Sequence, residues 1–332
     1  MTQQSSEVLA YLQAFEEMAA KHPGPIPQSI SFDFKEHSGH ALFGAITHGN
    51  ETGTLPGMLE VIRDLESGAI AYGGKVSFML GNVAACRQNT RFVEADLNRV
   101  FLTSAPASLE KDRALEMMSL IKSADLFIDF HQTIKASEEP FYIFPFDWPG
   151  YYWAKLLGGA KCWVTRAPGK SFAASSVCAD EFARQEGIPG LTLEMGQMGL
   201  SPLAETVSKE TIVRALHVID RLQQGETLKQ QAQGVEQELR FYEIVFAQSF
   251  AEAGMALQEG LNNFTPVQAE QVLGQDGKGG ELLCPQEGVL LFPKYPSRDD
   301  EGLALQPRPK EIYNLATKMQ VHPAEAFGLP ES

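Results

Sequence analysis

The sequence predicts an α/β protein with helices packed over a largely buried sheet, followed by a smaller, mainly β part. Three observations carry this expectation. Segments of strand and helix character alternate from about residue 29 to residue 222. After Gln223 the chain turns polar and Gly/Gln-rich, and the segments beyond are short and punctuated by Gly, Asp and Pro. The length of 332 residues suits about two domains at ~150 residues each. Alternating strands and helices bury their apolar faces by layering on one sheet. The expected division is residues 1–224 for the α/β part and 225–332 for a small β domain that caps or shapes a site.

The elements follow in order. Val8, Leu12, Phe15 and Met18 fall at helical spacing and predict an N-terminal amphipathic helix. SISFDF (29–34), ALFGAIT (41–47), KVSFMLG (75–81), DLFIDFH (125–131) and GLTLEMG (190–196) are short, apolar and bounded by Gly, Pro or polar residues, as strands are. LPGMLEVIRDLES (55–67) and LEKDRALEMMSLIKSA (109–124) carry helical periodicity, the second with Ser108 as its N-cap. Leu203 to Leu222 reads as a further helix that packs Val207, Val213, Leu216 and Ile219. GETLKQQAQGVEQ has the look of a linker. Beyond it, ELRFYEIVFAQ, GMALQEGL, AEQVLGQDGKGGELLC and GVLLFPKY are strand candidates, with GQDGKGG as a turn.

Composition narrows the function. Hydrophobic residues make up 44% and charged residues 21%, too apolar a mixture for a disordered chain. A net charge of −15 argues against nucleic acid and against anionic membrane surfaces, both of which need lysine and arginine. A small anion is not excluded, because a site needs only a few local cations. The four cysteines form no CxxC pair, and the N-terminal stretch lacks the charge and apolar core of a signal peptide. The expectation is a soluble cytoplasmic protein with reduced thiols. Oligomeric state is not legible.

Chemistry concentrates in four places. In AITHGNETG (45–53), His48 and Glu51 form an H-x-x-E pair at a strand end. That spacing lets imidazole and carboxylate converge on one metal, and it also suits a plain surface pair at a helix start. His131 ends the apolar strand DLFIDFH, with Asp129 two residues earlier and so on the same face. The pair reads either as a metal ligand with its orienting carboxylate or as a hydrogen-bonded structural histidine. Glu194 ends another apolar strand, where a carboxylate needs a partner or a task. Two histidines and a carboxylate leave a position open on Zn²⁺, and hydrolysis then needs a separate base. In NTRFVEADLNRVF (89–101), Arg91, Asn98 and Arg99 supply fixed donors, or else an ion-pair network with Glu94 and Asp96.

Taken in order, HGNE, TRFVEADLNRVF, DFHQT and LTLEMG resemble the succinylglutamate desuccinylase/aspartoacylase family, which belongs with the M14-type zinc carboxypeptidases. The matching motifs span residues 44–196, with a weaker likeness through VLGQDG and VLLFPK. The resemblance implies a zinc-carboxypeptidase-like mixed sheet flanked by helices. It implies one Zn²⁺ held by His48, Glu51 and His131, and Glu194 as the catalytic glutamate. Arg91 would help polarise the scissile carbonyl, while Asn98 and Arg99 would grip a substrate carboxylate. Arg184, ten residues before Glu194, is similar to a substrate-binding arginine of aspartoacylases. The implied activity is hydrolysis of a small anionic N-acyl amino acid. A peptide-cleaving metallocarboxypeptidase and a non-catalytic metal-binding relative are the alternatives. The donor set alone also accepts Ni²⁺ or Co²⁺.

Overall fold

Alternating burial along the chain sets the layers of the molecule. The structure is a computed structural model, and it describes residues 4–172 and 175–331. The first half runs α1 (Ser6–Lys21), β1 (Ser29–Asp33), β2 (His40–Ala45), α2 (Leu55–Ser67), β3 (Lys75–Leu80), α3 (Val83–Arg87), α4 (Leu109–Ile121) and β4 (Leu126–Thr133). Next come β5 (Phe141–Ile143), α5 (Trp148–Leu157), β6 (Cys162–Thr165), α6 (Ala179–Gln185), β7 (Gly190–Gln197) and α7 (Pro202–Gln223). The remainder holds α8 (Leu228–Gln233), β8 (Arg240–Ser249), β9 (Ala256–Leu257), β10 (Pro266–Val267), β11 (Val272–Gln275), β12 (Glu281–Leu283), β13 (Gly288–Leu291), β14 (Glu311–Lys318) and α9 (Pro323–Ala326).

An 11-stranded sheet has the order β1-β3-β2-β4-β7-β5-β6-β8-β14-β13-β10. β3, β2, β4 and β7 run parallel, β5 is antiparallel to β7, and β5, β6 and β8 run parallel again. A separate three-stranded sheet has the order β12-β11-β9. The mixed sheet between helices, with an added small antiparallel sheet, is the expected fold class.

Strand alternation decides which side chains meet which helices. Ala41, Phe43, Leu126, Ile128, Phe130, Leu191 and Leu193 join the core under α1, α2, α5 and α7. Leu42 and Phe127 point to the other face, into the core built with α4 and α6. Asp129 and His131 continue the Phe127 side of β4, and Glu194 lies on the opposite side of β7 from Leu193 and Met195. The candidate residues therefore share the α4/α6 face, at the carboxyl ends of parallel strands, where α/β proteins place ligand sites.

Two segments differ from expectation. The polar stretch after Gln223 forms α8, held by a reciprocal capping box between Thr227 and Gln230 and docked by buried Gln231 and Ala232. Its composition hid it, because one buried alanine is too little apolar signal. β8 and β14 also extend the central sheet, since β8 hydrogen-bonds to β6 and β14 pairs with β8. The sequence pattern predicts no strand over 311–318, where β14 lies.

Candidate metal centre and active site

β2 delivers the first two residues through a sharp turn. Ile46 directly follows it at φ 49°, an unfavourable conformation for a β-branched residue, and its carbonyl accepts from the Asn82 amide at 2.9 Å. The chain then passes so close to α3 that a Cβ on Gly49 would lie 2.3 Å from the Cys86 nitrogen. Only glycine fits at position 49, directly after His48.

The side chains converge. His48 Nδ1 lies 2.8 Å from Glu51 Oε1, and His131 Nδ1 lies 2.8 Å from Glu51 Oε2. The far nitrogens face carboxylates as well. His131 Nε2 is 2.8 Å from Asp129 Oδ2, and His48 Nε2 is 3.0 Å from Asp96 Oδ1. Thr47 donates to the other Asp129 oxygen at 2.9 Å, and the Gln132 amide donates to Glu51 at 3.0 Å. All three candidate ligands are buried, and one donor atom of each lies within 4.8 Å of the others.

This donor set fits a metal cation. A neutral imidazole has one N–H, so it cannot donate to carboxylates at both nitrogens. With its N–H given to Asp129, His131 aims a lone pair at Glu51, and His48 does the same once it donates to Asp96. Three acceptors then face one another and call for a positive charge between them. Without a metal that charge is a proton. Burial lowers the His131 pKa, but Asp129 and Glu51 outweigh it and raise it well above the usual value. Conversely, burial pushes the Glu51 carboxyl up, while both imidazoles hold it below the carboxylate range.

Glu194 is the register neighbour of His131 across β4 and β7. It is buried, its Oε2 has no hydrogen-bond partner among the described residues, and its pKa is pushed up to about 8, by burial first and then by the charge on Glu51. Arg91 reaches the cluster from a neighbouring loop, with Nη1 3.3 Å from Glu51 Oε1, Nε 3.3 Å from Asp96 Oδ2 and Nη2 beside His48. The ion pair with Asp96 and the approach to the candidate ligands Glu51 and His48 therefore coexist. Asn98 uses its Oδ1 to accept from the Ala179 amide at 2.9 Å, which leaves its Nδ2 facing His131 at 3.4 Å. Arg99 donates to the Asn98 carbonyl at 2.6 Å.

Arg184 is not brought to this cluster. Its guanidinium donates to Asp180 at 2.8 Å and to the Gly190 carbonyl at 2.6 Å, tying α6 to the start of β7. That carbonyl lies four residues before Glu194, roughly 13 Å away at ~3.3 Å per strand residue. Two contributors escaped the sequence reading. The sequence marks Asp96 only as an ion-pair partner, whereas its Oδ1 also faces His48 Nε2. Glu110, in the first turn of α4, accepts from the amides of Val93 (2.7 Å), Glu94 (3.2 Å) and Ala95 (3.0 Å) and from Asn82 Nδ2 (3.0 Å). It pins the loop that carries Arg91 and Asp96. An acid near a helix start is commonplace, so its sequence signal was lost among ordinary dipole-favoured residues.

With this geometry in view, the comparison with known families is decisive. The succinylglutamate desuccinylase/aspartoacylase catalytic-domain model matches residues 39–225, more than half of the chain. The chain belongs to that family. A succinylglutamate desuccinylase of Burkholderia orbicola (strain MC0-3) is 28% identical over 273 residues, covering 76% of each chain. The crystal structure of succinylglutamate desuccinylase from Vibrio parahaemolyticus superposes with a TM-score of 0.66 at 15% identity, over 88% of this chain and 86% of the other. Murine aminoacylase 3 superposes with a TM-score of 0.59 at 19% identity, over 85% of this chain and 95% of the other. At such identities the two structures bear on the fold, which this family member shares with them.

Proposed function

We propose that this protein is a zinc-dependent amidohydrolase that removes the acyl group from an N-acyl amino acid. The observation that carries the reading is the convergence of two imidazoles on opposite oxygens of Glu51, beside the unpartnered buried carboxylate of Glu194. His48, Glu51 and His131 would hold the cation, with Asp129 and Asp96 fixing the imidazoles from behind. When bound there, Zn²⁺ supplies Lewis acidity, polarising a carbonyl oxygen and acidifying water.

Glu194 takes a proton from the attacking water and passes it to the departing nitrogen. The C–O bond forms as the amide C–N bond breaks, giving a carboxylate and an amine. Arg91 turns N–H groups toward the oxygen on which negative charge develops. The Nδ2 of Asn98, which faces His131 at 3.4 Å, and the guanidinium of Arg99 hold a carboxylate of the substrate and fix the reacting carbonyl. Residues 1–224 carry this chemistry, and residues 225–332 shape access to it. A cytoplasmic setting agrees with four free, buried cysteines. No helix among the described residues is long and apolar enough to cross a membrane.

A panel of N-succinyl and N-acetyl amino acids set against short peptides tests the assignment. The expected result is hydrolysis of acyl amino acids that stops on chelation and returns with Zn²⁺. Turnover confined to peptides would replace the deacylase reading with a carboxypeptidase one.

A further inference from the structure

Gln132 directly follows the candidate ligand His131, is 2% exposed, and has a side chain that the chemistry above does not use. Its carboxamide reaches in two directions. Oε1 accepts from the Gly53 amide at 2.8 Å, just beyond Glu51. Nε2 donates to the carbonyls of Gln197 at 2.6 Å and Gly199 at 3.0 Å, in the segment that follows Glu194. Only this orientation of the carboxamide meets an N–H at one end and two carbonyls at the other. Gly53 makes the approach possible, because a Cβ there would lie 2.6 Å from Gln132 Nε2.

The segment held at the Nε2 end is irregular. His131 faces Glu194 and Thr133 faces Gln197, so two steps along β4 are matched by three along β7. The extra residue makes a bulge, with Gly196 at φ 94°. Bulges re-aim neighbouring side chains, and this one begins directly after Glu194. Thr133 fastens it as well, its Oγ1 lying 3.1 Å from the Gly196 carbonyl and its own carbonyl accepting from the Met198 amide at 2.8 Å. Glu194 Oε2 has no hydrogen-bond partner among the described residues, so backbone and packing set where that oxygen stands. A bulge that shifts carries Glu194 with it.

We propose that Gln132 is a positioning residue. Its carboxamide braces the turn that presents His48 and Glu51 against the bulge that aims Glu194, and so fixes the separation between the cation site and the proton-transferring carboxylate. The consequence for turnover rests on the deacylase reading; the brace itself does not.

Amide hydrogen exchange of the zinc-loaded protein reads the brace without any substrate. Gln132→Met keeps the length of the side chain and removes its donors and acceptor. Exchange at Gly53 and at Met198 should each quicken by about tenfold or more, while the core of β4 keeps its protection. Gln132→Asn, one methylene shorter, should free at least one end and serves if the methionine variant folds poorly. Zinc should remain at one ion per chain in both, because the Gln132 main-chain amide still holds Glu51. Unchanged exchange at both Gly53 and Met198 would overturn the proposal.

A kinetic cycle reads what the brace acts on. Gln132→Met should lower kcat by about 10–100-fold with native Glu194, through misplacement alone. In a Glu194→Gln background the same change should cost no more than about threefold, since the group it positions is already gone. Equal losses in both backgrounds would make Gln132 a packing residue and overturn the positioning role. Absence of turnover on N-acyl amino acids by the native protein removes the deacylase reading, and exchange then still decides the brace.

Discussion

At the scale of single residues, His131 explains most. Placed between Glu51 and Asp129, it needs either a second proton or a metal, and a metal leaves Asp129 holding the remaining N–H. Asp129→Asn should therefore weaken zinc binding about 10–100-fold without unfolding the protein, measured by competition with a chromogenic chelator. Unchanged affinity would reduce Asp129 to a packing residue. Glu194 supplies a pH signature in the chelator-treated protein. Its folded pKa of about 8 exceeds the ordinary 4.5, so the folded state binds the extra proton. Its stabilising contribution is therefore full below pH ~4.5 and is lost as pH rises through ~8. Glu194→Gln should flatten that alkaline decline in denaturant midpoints, and an unchanged slope would contradict the assignment. His48, Glu51, His131 and Glu194 were legible in the sequence because each ends or follows a strand whose apolar run makes a polar residue conspicuous. Arg184 had only its spacing to recommend it, and spacing does not reveal that the side chain is already occupied by Asp180 and Gly190.

At the scale of elements, the site depends on loops fastened by buried polar contacts. Burial raises the Glu110 carboxyl pKa, but the amides of Val93 and Ala95 and the Asn82 side chain outweigh it and hold the pKa below 4.5. The stability it contributes is present above pH ~4.5 and disappears as pH falls through the depressed folded value. Glu110→Gln should cost about 1–3 kcal/mol at neutral pH and soften the acid limb of the stability profile, read by urea unfolding from pH 3 to 7. Because the loop carries Arg91 and Asp96, activity should fall with it. Long elements were legible: α2, α4, α7 and the strands β2, β3, β4 and β7 carry enough pattern to be seen. Strands of three or four residues such as β5 and β6 do not, and the aromatic run of α5 hides its helical period by being apolar on most sides.

At the scale of the whole molecule, the sheet gathers His131 and Glu194 onto one face at the carboxyl ends of its parallel strands. The net charge of −15 thus coexists with Arg91 beside the buried cluster and Arg99 donating to Asn98, so an anion would be held at short range rather than steered from afar. The most direct measurement compares native protein with Glu194→Gln for zinc content and for turnover of N-acyl amino acids, N-succinylglutamate among them. Both should carry one zinc per chain, and the variant should be slower by about 10²–10⁴-fold. Near-native turnover by the zinc-loaded variant, or full activity in native protein stripped of metal, would contradict the account.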